Sequence, residues 1–241
     1  MIKFFRKIRQ NLLNQGKTSK YFKYAIGEIV LVVIGILIAL QINNWNENRI
    51  QQKNLNNIYA AIKSDLQEDI KKIDEIISVS IPFEENYLAI INKTRKKEDF
   101  KDCDKCWSIN MGYADIKIRK NDISLLLEYN KINNTTKDSL ALDINSLYND
   151  LVNDIQTDLD ELKKDSSRFI EDVVDTKPWF VELTKGITND DFIEYALTDV
   201  RYRNYTTMIH YIYFIKYIPD LKKFKSKGLE IITLIDKKLD N

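Results

Sequence analysis

Between Ile29 and Leu40 every residue is apolar or glycine, and from Ala25 to Ile42 only Glu28 and Gln41 interrupt the run. Tyr24 and Trp45 bracket it, 21 residues apart. That separation is about 31 Å of helix, close to the roughly 30 Å hydrocarbon core of a bilayer. A Tyr and a Trp at the two ends are what the headgroup interfaces favour. The pattern predicts one transmembrane helix over residues 24–45.

Past Trp45 the apolar positions become periodic. Leu55, Ile58, Ile62, Leu66, Ile70, Ile73 and Ile77 recur at steps of three and four, one stripe along a helix that Pro82 ends. A second helix is expected from Phe83 to Lys97, with Phe83, Tyr87, Leu88 and Ile91 on one side. Residues 98–120 are the least regular. Asn121 or Asp122 can cap a helix through Ile123, Leu126 and Leu127, and the polar run 133–138 marks a turn. A long helix from Ser139 to Val174 follows, with Leu140, Ile144, Leu147, Leu151, Ile155, Leu159 and Leu162 inward and Lys177-Pro178 at its end. Thr188 with Asp191 reads as a capping box for a helix through Phe192, Ala196 and Val200 to Ile218. Pro219 is expected to break it before a last helix, Leu221 to Leu239. Met208–Ile218 is very apolar but too short to span a membrane, and reads as a core helix.

With three prolines and six glycines in 241 residues, breakers are scarce and long helices are expected. The fold class is therefore all-α: an N-terminal transmembrane helix continuing into an extracytoplasmic antiparallel helical bundle.

Charge sets the orientation. Residues 1–23 hold seven basic side chains and no acid, whereas the twenty residues from Trp45 hold Arg49, Lys53 and Lys63 against Glu47. The bias keeps the N-terminus in the cytoplasm and sends the rest across. The formal charge is +1 overall and −5 over residues 45–241, which argues against a nucleic-acid partner. Ala39-Leu40-Gln41-Ile42-Asn43 offers no small-x-small cleavage site, so the anchor is expected to be retained. Phe5, Ile8 and Leu12 fit a short helix on the anionic inner leaflet, or a disordered basic tail whose role is topology. Gly16-Lys-Thr has no strand-to-helix context and is not read as a phosphate loop.

The opening Met1-Ile-Lys-Phe-Phe-Arg-Lys-Ile-Arg, Gly16-Lys, and Tyr24-Ala-Ile-Gly-Glu-Ile through Gln41-Ile-Asn-Asn-Trp-Asn resemble an uncharacterised bacterial family of single-span proteins with a helical region after the anchor. The resemblance is close over residues 1–48 and loose beyond. It implies an inner membrane facing a periplasm, and hence a basic cytoplasmic segment (1–23), a transmembrane helix (24–45) and a periplasmic helical domain (46–241). It brings no activity, substrate or catalytic residue.

Cys103-Asp-Lys-Cys106 is the one motif with intrinsic chemistry. In an oxidising compartment the pair reads first as a local disulfide; a redox pair lacks the βαβ context of a thioredoxin-like site. Zinc lacks a second cysteine pair, and His210 is the sole histidine. His210 lies in an apolar run and reads as a core or boundary residue rather than part of a triad. No enzyme signature and no cofactor site emerge. Arg201, Tyr202, Arg203 and Tyr205 are the candidate contacts for a small ligand or carbohydrate, against the alternative of a solvated face beside a packing face. Asp138-Ser139-Leu140 resembles a short O-glycosylation site, or is simply a helix start. Glu28, Gly35 and Ala39, with Ile42, share one face of the span, and Gly35-x-x-x-Ala39 is a small-xxx-small contact pattern.

These residues suggest a non-enzymatic interaction or scaffold protein of the cell envelope. Its partners would be the bilayer and an envelope or membrane protein, or further copies of itself. A sensory or ligand-binding module signalling through a partner is the alternative, and a thiol redox protein using Cys103 and Cys106 the third.

Overall fold

The computed structural model describes Arg6 and residues 18–100, 103, 105–133 and 138–240. The expected helix through Phe5, Ile8 and Leu12, the Gly16-Lys17 break and most of the polar turn before Asp138 lie outside the described residues. Among the described residues every regular element is a helix and there is no strand. Two compact units are present, Met1–Asn56 and Asn57–Asn241. Helix α1, Thr18–Ser80, contributes to both.

From Phe22 to Ile50, in the first unit, α1 leaves its large apolar side chains exposed on every side. In the second unit the periodic stripe faces a core. Tyr59, Ile62, Leu66 and Ile73 are fully buried. Tyr59 and Ile76 take the inward positions expected for Ile58 and Ile77, which are half-buried. A 3₁₀ turn, Ile81–Phe83, carries Pro82 at its start and leads into α2, Glu84–Ile91. Helix α2 is shorter than expected: Lys93 adopts φ 58°, a left-handed conformation that stops the helix. Tyr87 and Ile90 point inward, and Leu88 faces out.

Helix α3, Asn121–Asn133, begins at the expected residue. Helix α4, Ser139–Ser146, is capped by Asp138, whose side chain accepts from the Leu140 N–H. A π-helical segment, Leu147–Leu151, joins it to α5, Val152–Thr176, so the single long helix expected here carries one wider turn. Lys177 is extended (φ −120°, ψ 112°), as a residue before proline prefers. Helix α6 is the single turn Phe180–Leu183.

Three expectations for the last third are corrected. The cap of α7, Asp190–Thr198, is Asn189, which accepts from the Phe192 N–H at 2.9 Å, rather than Thr188. The helix does not run on to Ile218. Asp199 is extended (φ −73°, ψ 127°) and accepts from the Arg201 N–H at 2.7 Å, closing α7 and opening α8, Val200–His210. Pro219 breaks nothing. It sits in the first turn of α9, Ile218–Leu239, directly after a π-helical segment, Tyr211–Tyr217. A proline ring clashes with the carbonyl four residues back. The wider turns before it take up that misfit, and Tyr217 stays helical (φ −59°, ψ −51°).

Helix α9 packs closely on α1. A Cβ added at Gly228 would lie 3.1 Å from the Ile70 Cδ1, so glycine sets this approach. Ion pairs link Lys63 to Asp236 and Lys225 to Asp74 on the same pair of helices. Asp138 gathers three donors: the Tyr59 hydroxyl (2.6 Å), the Lys238 ammonium and the Leu140 N–H. Burial raises its carboxyl, but the bonds from Lys238 and Tyr59 outweigh that and hold it below the ordinary aspartate value. Asp69 is fully buried and accepts from the Arg119 backbone N–H (3.1 Å) and guanidinium (3.0 Å). There burial prevails, and the carboxyl sits above its ordinary value.

Candidate functional site

The first unit presents the most unusual surface. From Ile29 to Leu40, where every residue is apolar or glycine, every residue is exposed. In water each such Ile, Leu or Val leaves about 1.5–3 kcal/mol of burial unrealised. The amphipathic helices of the second unit each cover one stripe against a neighbour; this one has no covered stripe. Glu28 is half-exposed on the face it shares with Gly35, Ala39 and Ile42. A Cβ at Gly35 would meet nothing within 4 Å, leaving space for the close approach of another backbone.

Cys103 and Cys106 lie with their sulfurs at disulfide distance and their Cα atoms 5.4 Å apart. Cys106 is buried and Cys103 half-buried. The Arg95 guanidinium touches the Cys106 sulfur, donates from Nη1 to the Asn86 Oδ1 at 2.9 Å and covers the Phe100 ring at 5.4 Å. Burial pulls the Arg95 group below its ordinary value. No cluster of three metal-ligating side chains occurs among the described residues.

The Arg–Tyr run divides between two environments. Tyr202 is fully buried, edge-on to Phe169 (5.7 Å), Phe192 (6.1 Å) and Tyr195 (5.5 Å). It is a core residue, which corrects its reading as a ligand contact: consecutive helical positions point about 100° apart, so neighbours of an outward Arg turn inward. Arg201 is exposed and pairs with Asp172 at 3.4 Å. Arg201 and Tyr205 share a shallow cavity of about 290 Å³ with Asp165, Arg168, Asn204 and Met208. Arg203 is half-buried and does not line it.

His210 lies 2.9 Å from the Glu84 Oε1, with its ring 5.3 Å from Phe214. Its partners are therefore a carboxylate and an aromatic face. Ser139 is the first residue of α4, and Asp138 before it is a cap tied to Tyr59 and Lys238. The rule that finds Asp138, an aspartate just ahead of a periodic apolar run, is legible in sequence. Its two distant partners are not.

Residues 28–121 match the model of a family of unknown function, DUF6090. No curated protein and no solved structure matches the chain.

Proposed function

We propose that this is a single-pass, inner-membrane-anchored helical protein that acts by interaction rather than catalysis, with residues 1–23 in the cytoplasm and 46–241 forming a periplasmic antiparallel bundle. The uncovered apolar surface of the first unit carries the reading. The basic excess before it supports the direction of insertion, and the pairing of Lys63 with Asp236, Gly228 with Ile70 and Lys225 with Asp74 supports the antiparallel packing. In this reading Cys103 and Cys106 form a disulfide in an oxidising compartment. The helix associates, with itself or a membrane partner, through the Glu28–Gly35–Ala39 face, because lipid supplies little hydrophobic drive between helices and small residues permit close packing.

One preparation of native membranes tests it. A reporter active only outside the cytoplasm, fused after Asn241, is expected to be active, and the protein to stay in the membrane fraction after carbonate extraction. Cys103 and Cys106 should resist alkylation until reduced, and crosslinked species should fade in the Gly35→Ile chain. An inactive reporter overturns the topology; two freely alkylated thiols overturn the disulfide; undiminished crosslinking removes the association face.

A ligand-binding role is the second reading. It is favoured by the open cavity beside Arg201 and Tyr205, where Arg168 and Arg201 stay exposed beyond their ion pairs with Asp165 and Asp172 and the Tyr205 ring offers an apolar face.

A further inference from the structure

The second unit holds another cavity, of about 510 Å³, between α1, the irregular segment leading into α3, and α5. Its floor is Ile116, Ile118, Val152 and Ile155, each a buried residue with an edge left facing the opening. Its rim carries Lys72, Lys117 and Lys120, all exposed, and among the described residues no carboxylate lines it. In the segment 116–120 the isoleucines turn inward and Lys117 outward by simple alternation, which sets charge directly above an apolar surface.

Arg119 fixes the rim. Its backbone N–H and guanidinium both donate to the fully buried Asp69, and the guanidinium also meets Glu68 and Asp65. Its own charge is thus taken up by these acids. By contrast, none of the three lysines forms an ion pair within 4.0 Å among the described residues; Lys72 acts on Asp69 only at longer range. Residues 57–241 carry a formal charge of −6, since the chain total of +1 includes +7 from residues 1–23, −1 from Glu28 and +1 from Glu47, Arg49 and Lys53 together. Three lysines without an ion pair among the described residues therefore gather on the rim of one cavity, in a unit whose net charge is negative. A bound anion would offset their positive charge.

We propose that this cavity binds a small soluble anion with an apolar body, an aryl or alkyl phosphate or carboxylate, its head on Lys72, Lys117 and Lys120 and its body on the isoleucine–valine floor. Ammonium groups suit a compact, multiply charged head as point charges with rotatable donors. The floor adds apolar contact that inorganic phosphate cannot use. The site lies wholly within residues 57–241 and does not depend on the membrane reading.

Phenyl phosphate is the probe, applied by equilibrium dialysis to the full chain in nanodiscs of neutral phosphatidylcholine at low salt. One saturable site is expected, weakening as salt rises. Inorganic phosphate should bind about tenfold more weakly for want of the ring. Lys117→Ala and Lys120→Ala should each weaken phenyl phosphate about tenfold, the worth of one charge-assisted hydrogen bond. Lys117→Glu should abolish binding, while Lys185→Ala, at an exposed position away from the cavity, should leave it unchanged. The lysines are on the surface, so unaltered melting curves will establish that the variants fold. Absence of saturable binding, or equal affinity in the parent and the Lys117 and Lys120 variants, overturns the site. Equal affinity for inorganic and phenyl phosphate overturns the apolar half of the proposal.

Discussion

Ile34 and Ile62 carry the same side chain on the same helix, yet one is 46% exposed and the other 1%. The difference is written in their neighbours. Around Ile62 the apolar residues return every three or four positions, with charges between, so the helix asks for a partner on one side only. Around Ile34 they are continuous, and the helix asks for an apolar medium on all sides. A stripe predicts packing; a sleeve predicts a solvent.

The sharpest break of this comparison is a matched pair of truncations. Leu66→Ala empties a fully buried position and is expected to cost about 3 kcal/mol, the transfer loss plus the cavity left behind. Leu37→Ala, in the sleeve, should leave the stability of the second unit unchanged. Urea unfolding of the nanodisc-held chain, followed by tryptophan fluorescence, reads both; equal losses would show that the two regions are not different in kind.

The next test concerns polar burial, which the sleeve tolerates least and the second unit organises. Asp69→Ala removes the acceptor for the Arg119 N–H and one partner of its guanidinium. Leaving that N–H unpaired should cost about 2 kcal/mol, less than for a fully enclosed pair because Glu68 and Asp65 still meet the guanidinium. The same unfolding measurement checks it, and a loss within error would mean that water replaces Asp69.

Of the losses expected in the second unit, the smallest is at Asp138. Asp138→Ala deletes a helix cap and the bonds from Tyr59 and Lys238, a loss of about 1–2 kcal/mol at neutral pH. The Asp138 carboxyl is depressed in the folded chain. Its contribution is therefore complete above the unfolded value of 3.8 and disappears as pH falls through the lower folded value. The gap between parent and variant should narrow as the pH falls below 3.8, and a gap that does not change in acid would contradict the assignment.

Much of this was legible in the residues. The sleeve needed only composition, and Leu66, Ile73, Ile144, Leu162 and Phe192 fell inward as their spacing indicated. What stayed hidden depended on contacts between distant positions. Arg119 looks like one more cation of an irregular segment until Asp69, fifty residues earlier, is found beneath it. Read as a string, the Arg–Tyr motif offers Tyr202 as a contact; its helical phase places it among Phe169, Phe192 and Tyr195. The turn at Asp199 contains neither glycine nor proline. A single aspartate ends one helix and starts the next there, a signal that breaker-counting overlooks.

The π-helical segment at Tyr211–Tyr217 also bears on how relatives of this chain can change length. A π turn holds one residue more per hydrogen-bonded ring than an α turn, so it is the natural record of a one-residue insertion. Deleting that residue would restore regular spacing and return α9 to the same face of α1, with Gly228 still against Ile70. It would also bring the ring of Pro219 onto a carbonyl that the wider turn now keeps clear. Length and proline are thereby coupled. Single-residue gaps among relatives that fall within 211–217 should coincide with loss of the proline, whereas an insertion within Leu55–Ile76 would rotate everything beyond it away from the core.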